Sequence, residues 1–183
     1  MTKTRKIYSI LSLVGILIAL TPFNAMTAKE QILDTVDYVD LDRFMGKWYV
    51  IASIPTQLEK NIFNAVEHYQ MDSDGTIATT FTYNKGSFEG PKREYHPRGF
   101  IVDRKTNAVW GMQFIWPIKA DYRIIYLAQD YSSTIIGRNK RDYVWIMARK
   151  SRISEELYNK LSKKIEQAGY DIEKLIKVPQ HWQ

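Results

Sequence analysis

From residue 46 to residue 149 the chain is a succession of short runs rich in Val, Ile, Thr and aromatic side chains. Each run is stopped by a turn signal, and that rhythm points to an all-β fold. The runs cover 46–54, 65–71, 76–83, 99–103, 108–115, 122–129, 134–137 and 143–149. Pro55 ends the first, and Asp72-Ser73-Asp74-Gly75 turns the second into the third. Asn84-Lys85-Gly86 ends the third, while Lys105-Thr106-Asn107 and Pro117 punctuate later ones. Eight runs at near-regular spacing predict antiparallel strands arranged as an up-and-down barrel or a sandwich. A single helix follows them. Ser154 suits its N-cap and Glu155 and Glu156 its first turn; Leu157, Leu161, Ile165 and Ala168 form one stripe, and Gly169 is the stop. That one apolar stripe predicts a helix packed on the outside of the sheet.

The first 28 residues stand apart from this pattern. Lys3, Arg5 and Lys6 precede a 14-residue apolar stretch over 7–20, then Pro22 and the small residues Ala25 and Ala28. This is the layout of a secretory signal, so 1–28 is expected to be removed and 29–183 to form one domain, an uncleaved anchor being the alternative. The stretch falls short of the about 20 residues a spanning helix needs. Without those three cations the formal charge drops from +6 to +3, and the remaining Lys and Arg are interspersed with Asp and Glu. No basic stripe of the kind that binds nucleic acid is left. The chain has no cysteine, which rules out disulfides, zinc thiolates, a thiol nucleophile and a Cys-linked lipid anchor. The protein is therefore expected to be exported, periplasmic or associated with the outer membrane.

Gly46-Lys47-Trp48-Tyr49 opens the first strand after a short apolar turn at Leu41, Phe44 and Met45. This resembles the G-x-W-Y signature of lipocalins. Asp130-Tyr131 resembles the second signature of that family, and Arg149, closing the run 142–149, resembles the third. The resemblance extends from about residue 40 to 178. With Asn84-Lys85-Gly86 and Gly169-Tyr170-Asp171 it is nearest to the bacterial outer-membrane lipocalins and their apolipoprotein D-like relatives. It implies an eight-stranded antiparallel up-and-down barrel, a calyx, with the C-terminal α-helix outside. It also implies that Trp48 and Arg149 close the base of the barrel. The physical reason is that the first and last strands are neighbours, so the guanidinium can stack on the indole and bond backbone carbonyls.

A barrel of eight strands encloses room for one small ligand, and a period of two says which residues point into it. Counting from Trp48 puts Val50, Ala52 and Ile54 inside, and counting back from Arg149 puts Met147, Trp145 and Tyr143 inside. The other inward sets are Tyr69; Thr79, Phe81 and Tyr83; Trp110, Met112 and Phe114; and Tyr122, Ile124 and Tyr126. The candidate ligand-binding residues are thus Tyr69, Phe81, Tyr83, Trp110, Met112, Phe114, Tyr122, Ile124, Tyr126, Trp145 and Met147. The alternative is that these aromatics fill the barrel. Glu67 shares the face of Tyr69, where a charge is costly. It is expected at the rim, or paired with Arg123 or Lys85.

The reading that follows is a binding protein with no catalysis, cofactor or metal of its own, storing or carrying a fatty acid or lysophospholipid in envelope maintenance. Peripheral contact with a membrane, and a monomer or weak homodimer, go with it. His68, His96 and His181 lack metal-ligand spacing, and no G-x-S-x-G, P-loop or dinucleotide fingerprint is present. Two alternatives remain: a lipid-modifying enzyme of the isomerase or de-epoxidase type, using Glu67, and a tetrapyrrole carrier with a Tyr or His68 as axial ligand.

Overall fold

The structure, a computed structural model, describes residues 32–57 and 59–182; the expected leader lies outside them. The strands are β1 (Gly46–Ile54), β2 (Ile62–Met71), β3 (Ile77–Lys85), β4 (Lys92–Tyr95), β5 (Arg98–Ile101), β6 (Val109–Ile115), β7 (Ile118–Leu127), β8 (Ser133–Gly137), β9 (Val144–Ala148) and β10 (Ile176–Lys177). All pairings are antiparallel, the barrel strands follow one another in sequence order, and β9 returns to pair with β1, closing an eight-stranded barrel. β4 and β5 are two halves of one barrel strand, interrupted at His96-Pro97: β4 pairs only with β3, and β5 joins β3 to β6. The sequence pattern missed β4 because Lys-Arg-Glu-Tyr, with three exposed charged residues, shows no apolar alternation.

Loops 55–61, 86–91, 116–117 and 138–143 gather at one end, and turns 72–76, 102–108 and 128–132 at the other. The second end is shut. Helix α1 (Leu41–Phe44), capped by the Asp40 carboxylate on the Arg43 N–H, carries the buried Phe44 into it. Trp48 packs at a tilt against Phe44 with ring centroids 5.0 Å apart and donates its indole N–H to the Phe44 carbonyl at 2.8 Å. The Arg149 guanidinium lies 3.8 Å from the Trp48 ring centre and donates to the carbonyls of Arg43, Phe44, Met45 and Lys47. Tyr131 joins them: its hydroxyl accepts from the Asp40 N–H and its ring carries Arg43 at 3.9 Å. All three signature segments therefore meet at the closed end.

The barrel has two apolar layers. One is interior. The other lies between the outer face of β1, β8 and β9 and helix α2 (Glu155–Gln167), where Ile51, Ala52, Ile135 and Ile146 pack against Leu161 and Ile165. Ser154 caps α2 through the Leu157 N–H, and Gly169, at φ +87°, ends it with its N–H on the Glu166 carbonyl.

Bulges decide which residues face which layer. β1 shifts register between Val50 and Ala52, so Ala52 and Ile54, expected inside, lie under α2, and Ser53 opposite Trp145 takes the inward place. β7 shifts between Ile124 and Tyr126. Tyr126 therefore faces outward, where Lys164 of α2 sits 4.9 Å above its ring. A bulge adds one residue to one strand, and every later side chain changes face. β2 shifts too, between Phe63 and Val66. Above the bulges, β1 and β2 separate and the C-terminal tail fills the gap. β10 pairs with Ala52 and Ser53, and the Gln180 amide donates to the carbonyls of Val50 and Ala65 at 2.7 and 3.0 Å.

Candidate functional site

The lower part of the barrel is solid. Phe44, Trp48, Tyr69, Trp110 and Tyr122 stack into a floor, with Trp110 and Tyr122 parallel at 5.0 Å and Tyr69 edge-on to Trp110 at 5.7 Å. The Trp110 indole N–H is satisfied by the Asn107 carbonyl. Both expectations for the aromatics therefore hold in part: they fill the base, and a cavity of about 350 Å³ opens above them. That size is at the small end of the roughly 300–1,000 Å³ usual for ligand sites.

Seven of the eleven candidate residues line this cavity: Tyr69, Phe81, Met112, Phe114, Tyr122, Trp145 and Met147. They come from five strands, β2, β3, β6, β7 and β9, brought to one surface because inward residues alternate along each. Trp110 and Ile124 are buried beneath it, and Tyr83 packs behind the wall, 5.3 Å from Phe81 and 6.0 Å from Tyr95. Tyr126 belongs outside, for the reason given above. Phe114 stands half-exposed at the mouth, with Tyr143, Asp121 and Arg138. Arg138 is held there by Asp142 at 3.3 Å, and Asp121 by Arg123 at 3.0 Å.

Glu67 is not at the rim. It lies on β2 directly opposite Trp48 of β1 and Phe81 of β3, just above the floor. Neither expected partner reaches it: Lys85 donates to the Lys60 carbonyl, and Arg123 to Asp121 and the Leu33 carbonyl. Its Oε2 is buried without a hydrogen-bond partner. Loss of hydration, and then the charge of Glu59, push its carboxyl up to about 8, against which a hydrogen bond with Tyr69 is too weak. The Tyr69 and Tyr122 hydroxyls bond each other at 2.8 Å and are driven well above the ordinary phenol value, chiefly by burial.

Glu59 escaped the sequence reading. It comes from the loop between β1 and β2, which folds over the mouth, and is 7% exposed. Oε1 accepts the Trp145 indole N–H at 2.9 Å and Oε2 the Thr56 N–H at 2.9 Å. Burial still raises its carboxyl, with those two bonds opposing. No strand periodicity extends into a loop, so no signal in the sequence pointed to Glu59. His68 is exposed on the outer face of β2, away from the cavity, so it cannot be an axial ligand for a tetrapyrrole inside.

The chain matches the lipocalin-like domain family over residues 39–180. It is 34% identical over 161 residues to temperature-induced lipocalin-1 of Arabidopsis thaliana, across 85% of this chain and 86% of the relative. Over 147 residues it is 26% identical to outer membrane lipoprotein Blc of Escherichia coli (strain K12), across 79% of this chain and 81% of that one. Among solved structures, insecticyanin from the tobacco hornworm Manduca sexta superimposes with a TM-score of 0.63 at 17% identity, across 84% of this chain and 85% of that one. Apocrustacyanin C2 gives 0.61 at 13% identity, across 78% and 80%. These two likenesses are of fold.

Proposed function

The chain belongs to the lipocalin family, and on that premise we propose that it stores or carries a single-chain lipid, a fatty acid or lysophospholipid, in its calyx. The observation that carries this is the cavity itself: Met112, Met147, Phe81 and Trp145 surround an opening of about 350 Å³ above an aromatic floor. Each methylene that leaves water for such a site gains roughly 0.8 kcal/mol, and the two methionines adapt to a flexible chain. A binder is favoured over an enzyme because Glu59, the acid nearest in charge to Glu67, is already committed to Trp145 and Thr56.

An exported protein at the envelope is the second part of the reading, supported by the residue 1–28 pattern and by relatives named as outer membrane lipoproteins. Contact with a lipid surface has a structural basis at the mouth. The hairpin between β6 and β7 carries Ile115, Trp116 and Ile118 into solvent, with Trp116 82% exposed, and Phe114 connects this tip to the cavity wall. An exposed apolar tip beside the opening is suited to dipping into a bilayer while ligand transfers.

Native mass spectrometry of the purified protein, with extraction of what co-purifies, tests the carrier reading. A one-to-one adduct with the mass of a single-chain lipid is expected. No adduct, together with no change in Trp fluorescence across a series of fatty acids and lysophospholipids, overturns it.

A further inference from the structure

The apolar walls do not account for the carboxyl at the bottom of the cavity. Glu67 faces inward from β2 with Oε2 unpartnered, between Trp48 on one side and Phe81 on the other. The titratable groups around it are the Tyr69 hydroxyl of its own strand, the Tyr122 hydroxyl of β7 and the Glu59 carboxyl of the loop above. β1 and β3 place Trp48 and Phe81 opposite it; the unpartnered Thr79 hydroxyl lies one inward position away, opposite Tyr69, Tyr83 belongs to the same interior cluster, and Tyr95 of β4 lines the cavity beside Phe81. Among the described lining residues the acids are Glu59, Glu67 and Asp121; the one base is Arg138, at the mouth rather than the floor, paired through Nη1 with Asp142, lying 5.1 Å over Tyr143 and with its Nε unpartnered.

A carboxyl with a free oxygen, a second acid within reach of its field and surrounding π faces make a poor site for an anion and a good one for an organic cation. The cation gains the ion pair with the carboxylate and the attraction of the ring quadrupoles. The Tyr69–Tyr122 hydroxyl pair adds acceptor lone pairs for the other N–H groups. A lipid that left only a methyl end at this depth would leave Oε2 unsatisfied, which costs about 1–3 kcal/mol. We propose that the cavity takes an apolar ligand bearing a protonated amine, seated amine-inward on Glu67. This rests on the calyx being a ligand site and goes beyond the carrier reading: a fatty acid or lysophospholipid keeps its anionic head at the mouth, and an amine is the head group that the floor itself prefers.

Decylamine, decanol and decanoate share one chain and differ only in head group, so their affinities, read by Trp fluorescence or calorimetry, isolate the preference. The unaltered protein is expected to bind decylamine about tenfold or more tighter than decanoate. Amine affinity is expected to rise from about pH 6 to about pH 8, as Glu67, pushed up to about 8 in the empty cavity, gives up its proton to form the pair. The alkylammonium stays charged throughout, its pKa being near that of lysine, about 10.4. Glu67→Gln is expected to weaken decylamine by about tenfold, flatten that pH profile and leave decanol within about twofold. Decanoate binding as tightly as decylamine, or a variant whose amine-to-alcohol ratio is unchanged, overturns the amine preference while leaving the calyx a ligand site. Failure of all three probes to bind overturns both. The head-group comparison on the unaltered protein decides the matter even if the variant does not fold.

Discussion

Replacing Glu67 by Gln also tests the electrostatics of the cavity floor with no ligand present. In the folded chain this carboxyl is pushed from 4.5 up to about 8, first by burial and then by Glu59. The unfolded chain returns it to water and its ordinary value. Between those two values the folded state holds a proton that the unfolded state has released. The stability associated with a neutral Glu67 is therefore fully present below about pH 4.5 and is lost as pH rises toward 8. Each pH unit in this window weakens folding by about 1.4 kcal/mol, so the step from about pH 5 to about pH 7 removes on the order of 2–3 kcal/mol. Gln has nearly the same shape and no proton to lose. Urea unfolding of both proteins at about pH 5, 6, 7 and 8 and equal ionic strength is the assay, because exposed carboxylates cancel in the difference. The variant's stability relative to the unaltered protein is expected to climb by that amount between about pH 5 and about pH 7. A difference that stays constant from pH 5 to 8 would refute the reasoning, since it would mean that Glu67 ionises freely and its carboxyl reaches water.

Arg149→Lys removes the fork that reaches four carbonyls and stacks on Trp48; urea unfolding is expected to show a loss of about 2–4 kcal/mol, and a loss under about 1 would mean the base closes without it. Tyr126→Ala lies on the outer face, so it is expected to cost about 1–2 kcal/mol of stability yet leave amphiphile affinity unchanged, while Met112→Trp, which fills the cavity, abolishes binding in the same titration. Gln180→Ala uncaps the Val50 and Ala65 carbonyls at the bulges; a loss of about 1–2 kcal/mol is expected, with faster hydrogen exchange confined to the upper ends of β1 and β2. Trp116→Ser combined with Ile118→Ser is expected to lower binding to sedimented lipid vesicles about tenfold with an unchanged Tm, because both side chains stand in solvent.

The order of the strands, the single outer helix and the closure of the base by Trp48 and Arg149 were all legible in the residues. Alternation, turn residues and helix caps are local, and the Trp–Arg pair follows from the neighbourhood of first and last strands in any closed antiparallel barrel. For the same reason Thr79, Phe81 and Tyr83 of β3 and Trp145 and Met147 of β9, strands that run without a bulge, face the interior as alternation predicts, whereas Tyr143 lies just before β9 at the mouth. What the sequence did not determine begins where a contact depends on distant chain. The bulges of β1 and β7 turn Ala52, Ile54 and Tyr126 away from the cavity, and alternation could not reveal them because these strands are apolar on both faces, one toward the calyx and one toward α2. Glu59 enters the site only because the 55–61 loop folds back over the mouth to meet Trp145, 86 residues further on. Glu67 reads in sequence as a misplaced charge. Only the tertiary structure makes it a proton-holding group, because the desolvation that keeps it neutral is supplied by side chains from β1, β3 and β7 closing around it.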